Sequence, residues 1–141
     1  MRASDADLRY PSTSAAEAVK RAGWMVNGPV FLLMFGSPVL VGSIAITLGF
    51  KPWAVIWAAI AAAPIGWFAA WTSWSILTPH WRLWAYRRVS DLDELKVLAV
   101  KAQVLWPAGH KLERTEIVSP YIRQEVLRLE AEFARRREAE A

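Results

Sequence analysis

Cysteine is absent from this chain of 141 residues, and histidine occurs only twice, at His80 and His110. Without cysteine the chain forms neither disulfide bonds nor thiolate metal sites. His110 and Glu113 have a His-x-x-Glu spacing, with Glu116 nearby, but a single histidine is a weak metal signal. We therefore expect no metal ligand in this sequence.

Recognisable catalytic motifs are also missing. The chain has neither a glycine-rich phosphate loop nor a nucleophile elbow. His80 stands beside Trp81, where it could ligate a haem or pigment, but no histidine lies deeper in the neighbouring apolar run. The sequence thus predicts no catalytic residue and no cofactor, and it argues against an enzyme.

Charge is missing from two long runs, residues 29–50 and 53–77, which contain no Asp, Glu, Lys, Arg or His. Each run is long enough as a helix to cross a hydrocarbon layer of about 30 Å. The rest of the chain is too short to bury two such helices in a soluble core. We predict an all-α membrane protein, a two-helix transmembrane hairpin with its loop near Lys51 followed by cytoplasmic amphipathic helices. The predicted domains are residues 1–23, 24–78 and 79–141.

Basic residues flank the two runs unevenly, because the loop contains only Lys51. The positive-inside rule then predicts that both termini are cytoplasmic, in a bacterial-type inner (plasma) membrane. The polar residues 1–23 do not resemble a cleavable signal. The net charge of +4 comes from basic residues mixed with acids, so we expect no nucleic-acid partner. The flanking basic residues are Arg2, Arg9, Lys20, Arg21, Arg82, Arg87 and Arg88.

Small residues recur at helical spacing in both runs, and such residues let two helix backbones approach closely in lipid. We expect this small face of the second helix to meet the first helix or a second copy of the protein. The predicted helix-packing residues are Gly42, Ala45, Gly49, Ala58, Ala62, Gly66 and Ala70.

Tryptophans form a bulky stripe on the other side of the second run, and we expect this stripe to face lipid or a partner. Further aromatic and arginine residues are predicted to lie at the membrane interface, where both residue types favour the headgroup zone. The stripe comprises Trp57, Trp67, Trp71 and Trp74. The predicted interface residues are Trp24, Trp53, Trp81, Arg82, Trp84, Arg87 and Arg88.

Capping signals place short helices on both sides of the hairpin. Ser14 and Glu17 form a capping box for a helix that we expect to end before the membrane, in the Gly- and Pro-containing residues 23–29. A second helix is predicted from Asp91, with its apolar face running to Leu105. Residues 110–118 alternate partly and suggest an extended segment.

The last predicted helix starts at Pro120 after a Ser119 cap, and it presents one narrow apolar seam. The seam requires a partner surface, which could be the preceding tail helix, another subunit or a second copy of the chain. Its residues are Ile122, Val126, Leu129 and Phe133.

Three functions remain open from the sequence. The leading hypothesis is an interaction, accessory or assembly subunit of a larger membrane complex, with the helical tail as its docking element. Its partners would be membrane lipid and either other membrane subunits or further copies of itself. The alternative is a protein that binds a lipid, quinone or pigment along the tryptophan stripe. The third is a lipid-directed enzyme that uses His80 or His110. Transport fits poorly, because neither run contains an ionisable group.

Overall fold

The computed structural model describes residues 13–141, so the predicted features at Arg2 and Arg9 lie outside the described residues. The described part is helical and contains no strand. Its α-helices are α1 (Ala15–Ala22), α2 (Gly28–Thr47), α3 (Pro52–Tyr86), α4 (Leu92–Lys101) and α5 (Pro120–Glu140), with a π-helix at Gly23–Asn27 and a 3-10 helix at Lys111–Thr115.

Helices α2 and α3 form an antiparallel hairpin, and both are long and apolar enough to cross a membrane. The turn between them uses Gly49, which has a φ of 77° that a residue with a side chain rarely adopts. Pro52 then stands at the first position of α3, where its missing N–H costs no helical hydrogen bond. The hairpin predicted from the two uncharged runs is therefore present.

The predicted break between α1 and α2 is wrong. The Ser14 capping box forms as expected, but the helix continues through the π-helical turn into α2. The N–H of Gly28 donates to the carbonyl of Gly23, five residues back, in the wider ring of a π-helix. Pro29 falls in the first turn of α2, where it does not stop the helix.

The second long helix, α3, also continues beyond the apolar run that ends at residue 77, through Pro79 to Tyr86. A proline inside a helix leaves the carbonyl four residues back without its usual donor. Here the carbonyl of Ser75 accepts the backbone N–H of Ile117, with 3.0 Å between nitrogen and oxygen. The chain after the 3-10 helix therefore attaches to α3 at the position that Pro79 opens.

A second compact unit, which we call the head, surrounds the final turns of α3. It consists of α1, the end of α3, α4, α5 and their connecting segments, packed around one apolar core. Trp81 is fully buried there, and its Nε1 donates to the carbonyl of Ala18 at 2.9 Å. The N–H of Thr13 donates to the carbonyl of Arg88, so residues 13–22 and the tail lie at the same end of the hairpin.

The seam of α5 lies within the head. Ile122 and Val126 are buried in its core, and Leu129 and Phe133 pack against the same core. The chain's own helices cover the seam, and α5 packs mainly on α3, a surface that was not among the three considered from sequence. The seam therefore is not an open surface for docking another protein.

The connection between α4 and α5 differs from the sequence expectation. Helix α4 ends at Lys101, and Gln103 follows in a left-handed conformation with a φ of 58°. Val104 and Leu105 then enter the head core outside any helix. Residues 111–115 form a 3-10 turn where an extended segment was predicted.

Candidate functional site

The small residues of the hairpin lie mainly between α2 and α3. Ala58 is half-buried, whereas Gly49 is exposed in the turn. The small face of α3 thus meets α2 of the same chain. The buried members are Gly42, Ala45, Ala62, Gly66 and Ala70.

Gly66 marks a close approach of the two helices. A Cβ atom placed on Gly66 would lie 2.6 Å from the carbonyl oxygen of Leu33 and would overlap the hydroxyl of Ser37. At Gly42 the nearest atoms, on Val55 and Ala59, would be 3.9 Å away, an ordinary contact. Of these two glycines, therefore, only Gly66 occupies a position with no room for a side chain.

Hydroxyl groups in the hairpin fall into two classes. Ser43, Thr47 and Thr72 donate to carbonyls four residues back on their own helices, as serine and threonine do in apolar surroundings. The buried hydroxyls of Ser37 and Ser75 have no hydrogen-bond partner in the part of the chain that the structure describes.

The tryptophan stripe continues into the head as a row of five rings, which we call the aromatic ladder. Ring centroids are 6.5 Å apart for Trp67–Trp71, 5.9 Å for Trp71–Trp74, 6.0 Å for Trp74–Trp106 and 4.8 Å for Trp106–His110. Trp67 is 62% exposed. Sequence reasoning found the first three rings but not Trp106 and His110, because tertiary contact alone brings these two to the stripe.

Trp57 and the predicted interface tryptophans have different environments. Trp24, Trp53 and Trp57 are exposed on the outer surface. Trp81 lies in the head core and does not present its ring outward. Trp84 contacts two guanidinium groups, with Arg21 at 4.6 Å and Arg88 at 4.9 Å from its ring centre.

The arginines that follow the second run are largely engaged by the tail. Arg82 pairs with Glu116 at 2.8 Å, and the Glu116 side chain is only 3% exposed. Arg87 pairs with Glu125 at 3.1 Å. These contacts join α3 to the segment before α5 and to α5 itself, a role that the sequence alone did not indicate.

A cleft of about 430 Å³ opens between the end of α3, the 3-10 turn and α5. Pro79 and Arg82 line it from α3, and His110, Arg114 and Arg123 line it from the tail. His110 is also the last ring of the aromatic ladder, so the ladder ends at the cleft. Neither Arg114 nor Arg123 was identified from sequence, since each is one basic residue within a mixed-charge segment.

Tyr86 adjoins this cleft through its contact with Glu130, one of the lining residues. Burial raises the pKa of its hydroxyl well above the ordinary value, and the Glu130 carboxylate, which accepts from that hydroxyl at 3.4 Å, acts in the same direction. Glu130 also pairs with Lys96 at 2.8 Å. The neutral phenol is therefore part of the contact between α3 and α5.

The buried phenol predicts a loss of stability in alkali. An unfolded tyrosine ionises near pH 10, whereas Tyr86 resists ionisation in the fold. The stabilisation is full below about pH 10 and falls as pH rises above it, because only the unfolded state then gains from losing the proton. Thermal melts from pH 7 to 11 should show a steeper alkaline loss for the native chain than for Tyr86→Phe. Equal slopes would contradict this assignment.

The two histidines make local contacts with the backbone. Nδ1 of His80 lies 2.7 Å from the carbonyl of Ile76, and Nδ1 of His110 accepts the N–H of Leu112 at 3.2 Å. Among the described residues, no group of three or more acidic or histidine side chains is placed to hold a metal ion. The candidate functional site is therefore the surface that the aromatic ladder and the cleft form together.

Comparison with known proteins assigns no role to this surface. No protein-family model, no curated protein and no solved structure matches the chain.

Proposed function

We propose that this chain is a small integral membrane protein that works by contact, as an accessory or assembly subunit of a larger membrane complex. The hairpin is the anchor, in a bacterial-type inner membrane with both termini cytoplasmic. The head is the part that meets a partner.

The observation that carries this proposal is the continuity of α3 from the hairpin into the head core. At about 1.5 Å per residue, its 35 residues extend for about 50 Å, well beyond a hydrocarbon layer of about 30 Å. The head packs around the excess length, and the Arg82–Glu116 pair and the Ser75–Ile117 hydrogen bond attach the tail to it. Such a head would be held at a fixed height and orientation above the bilayer.

The docking element differs from the one that the sequence suggested, because the seam of α5 is covered within the chain. The opposite face of α5 is exposed at Gln124, Arg128, Ala131 and Arg135. We assign partner contact to this outward face of α5 and not to the seam. Within the membrane, the exposed Trp57 offers a second contact.

Site-specific photocrosslinking in cells tests this assignment. A photoreactive residue at Gln124 should give one discrete adduct with a membrane protein. Loss of this chain should then lower the abundance of the complex that contains that protein. The matched control is a photoreactive residue at Val97, which is exposed on α4 and should give no such adduct. A chain that is monomeric in mild detergent, with no adduct at either position, would refute the proposal.

A second candidate function, the binding of a hydrophobic ligand, is supported by the aromatic ladder. Its rings run from the apolar hairpin to the charged cleft, as a binding surface for an amphiphile would. Purification in mild detergent followed by organic extraction tests it. A stoichiometric lipid, quinone or pigment is expected, and an empty preparation would contradict it.

A further inference from the structure

The height of the cleft along α3 places it beside the headgroup layer of a bilayer that surrounds the hairpin. Trp53 and Trp74 are separated by about 30 Å along the helix, which matches the thickness of the hydrocarbon core. Pro79 then lies about 8 Å beyond Trp74. The polar layer on each side of a bilayer begins where the hydrocarbon ends and is about 5–8 Å thick. The cleft therefore begins at the depth of lipid phosphates.

Two positive charges of the cleft are not compensated within the described part of the chain. Of the charged groups that line it, Arg82 pairs with Glu116, and Glu130 pairs with Lys96. Arg114 and Arg123 are exposed, and their guanidinium groups form no ion pair or hydrogen bond with any side chain that the structure describes. The cleft thus presents two fork-shaped donors to an anion, the geometry that suits phosphate oxygens.

His110 adds a donor to the same cleft. Its Nδ1 accepts the backbone N–H of Leu112, so the neutral ring carries its hydrogen on Nε2. Its ring also stacks on Trp106 and fixes the end of the aromatic ladder at the cleft. The polar site and the apolar ladder are therefore joined through one residue.

From this juxtaposition we propose that the cleft binds the phosphate of an anionic phospholipid, with one acyl chain lying along the aromatic ladder. Arg114 and Arg123 bind the phosphate, and His110 donates to it. Trp71 and Trp67 contact the acyl chain below. Leu127 and Val126 form the apolar wall of the cleft on the α5 side. This proposal rests on the ligand-binding function above and is independent of the accessory-subunit function.

A free phosphate has the same headgroup chemistry but cannot use the ladder. A phospholipid gains from both parts of the surface, because burial of its chain against the tryptophans adds to the charge contacts. Loss of a ladder ring should therefore weaken the binding of a phospholipid and leave the binding of a free phosphate unchanged.

Native mass spectrometry of the full chain, released from nanodiscs of phosphatidylcholine with one-fifth phosphatidylglycerol, tests the proposal. We expect one retained phosphatidylglycerol per chain. The double substitution Arg114→Gln/Arg123→Gln should lower this retention by more than about tenfold, since two basic contacts to an anionic headgroup are removed. The control Lys20→Gln/Lys101→Gln removes the same charge from exposed positions outside the cleft and should retain the lipid.

Further arms separate the possible outcomes. Trp67→Ala should reduce lipid retention while leaving the head folded, because Trp67 is exposed on the hairpin. An equal loss of phosphatidylglycerol retention in the cleft and control variants would overturn the proposal, because the overall surface charge and not the cleft would then retain the lipid. Retention of phosphatidylcholine in place of phosphatidylglycerol would also overturn it, while leaving the ligand-binding function standing. If the lipid-free chain bound inorganic phosphate and showed no preference for phosphatidylglycerol over phosphatidylcholine, the proposal that the bound phosphate belongs to a lipid would be overturned.

Discussion

Substitution of Gly66 by alanine is expected to destabilise the hairpin by about 1–3 kcal/mol, the usual cost of forcing an extra carbon into a packed interface. The added Cβ would meet the Leu33 carbonyl at 2.6 Å. A side chain could rotate away from such a contact, but a backbone carbonyl moves only if α2 and α3 separate. The loss should exceed the helix-propensity gain of about 1 kcal/mol that alanine brings.

Two matched variants isolate this effect. Gly42→Ala adds the same methyl group where the nearest atoms are 3.9 Å away, so it should leave stability unchanged or slightly raised. Ser37→Ala removes the hydroxyl that Gly66 faces, and combining it with Gly66→Ala should restore only part of the loss because the Leu33 carbonyl remains. Near-ultraviolet circular dichroism of the tryptophans during thermal unfolding in detergent measures these differences. Equal stability of the Gly66→Ala and Gly42→Ala chains would contradict the close approach of the helices.

Removal of the Glu116 carboxylate is expected to destabilise the head by about 3–5 kcal/mol, as is typical when one partner of a buried ion pair is deleted. The Glu116 side chain is 3% exposed and that of Arg82 is 16% exposed. Glu116→Ala would leave the Arg82 guanidinium poorly solvated and without this carboxylate. Since Arg82 lies in α3 and Glu116 lies just before the Ile117 hydrogen bond, the tail should also separate from α3.

A double-mutant comparison identifies the source of the loss. Arg82→Leu/Glu116→Leu removes both charges and should be less destabilising than the sum of the two single leucine substitutions, because no unpaired charge remains. The exposed pair between Arg137 and Asp93 provides the control, and Asp93→Asn should have little effect. Unfolding by guanidinium chloride, followed through the tryptophan signal, measures each variant. A Glu116→Ala chain as stable as the Asp93→Asn chain would show that the pair contributes no stability.

The parts of the fold that sequence predicted correctly depend on local rules. Two uncharged runs of about twenty residues correspond to α2 and to most of α3. Each could be predicted as an apolar helix because that prediction depends only on the composition of the run itself. The Ser14, Asp91 and Ser119 caps each act within three residues of chain, and all three begin helices in the structure.

The parts that sequence missed depend on contacts between distant segments. The second span was predicted to end near residue 77, yet α3 continues through Pro79 to Tyr86. Ile117, far along the chain, supplies a donor to the carbonyl that the proline leaves free. Trp81 and Arg82 resembled a lipid-facing pair because they follow an apolar run, but α1 and the tail cover them. The cleft could not be predicted, since Arg123 joins His110 and Arg114 only when α5 packs on α3.

Cysteine labelling of the hairpin tests the central claim most directly, because the natural chain contains no cysteine. Lys51→Cys places a thiol in the loop, and Ala141→Cys places one at the end of the tail. In intact spheroplasts, a membrane-impermeant maleimide should label Lys51→Cys at once and should label Ala141→Cys only after lysis. Labelling of Ala141→Cys in intact spheroplasts, or recovery of the unlabelled chain in the soluble fraction without detergent, would contradict a membrane hairpin with a cytoplasmic head.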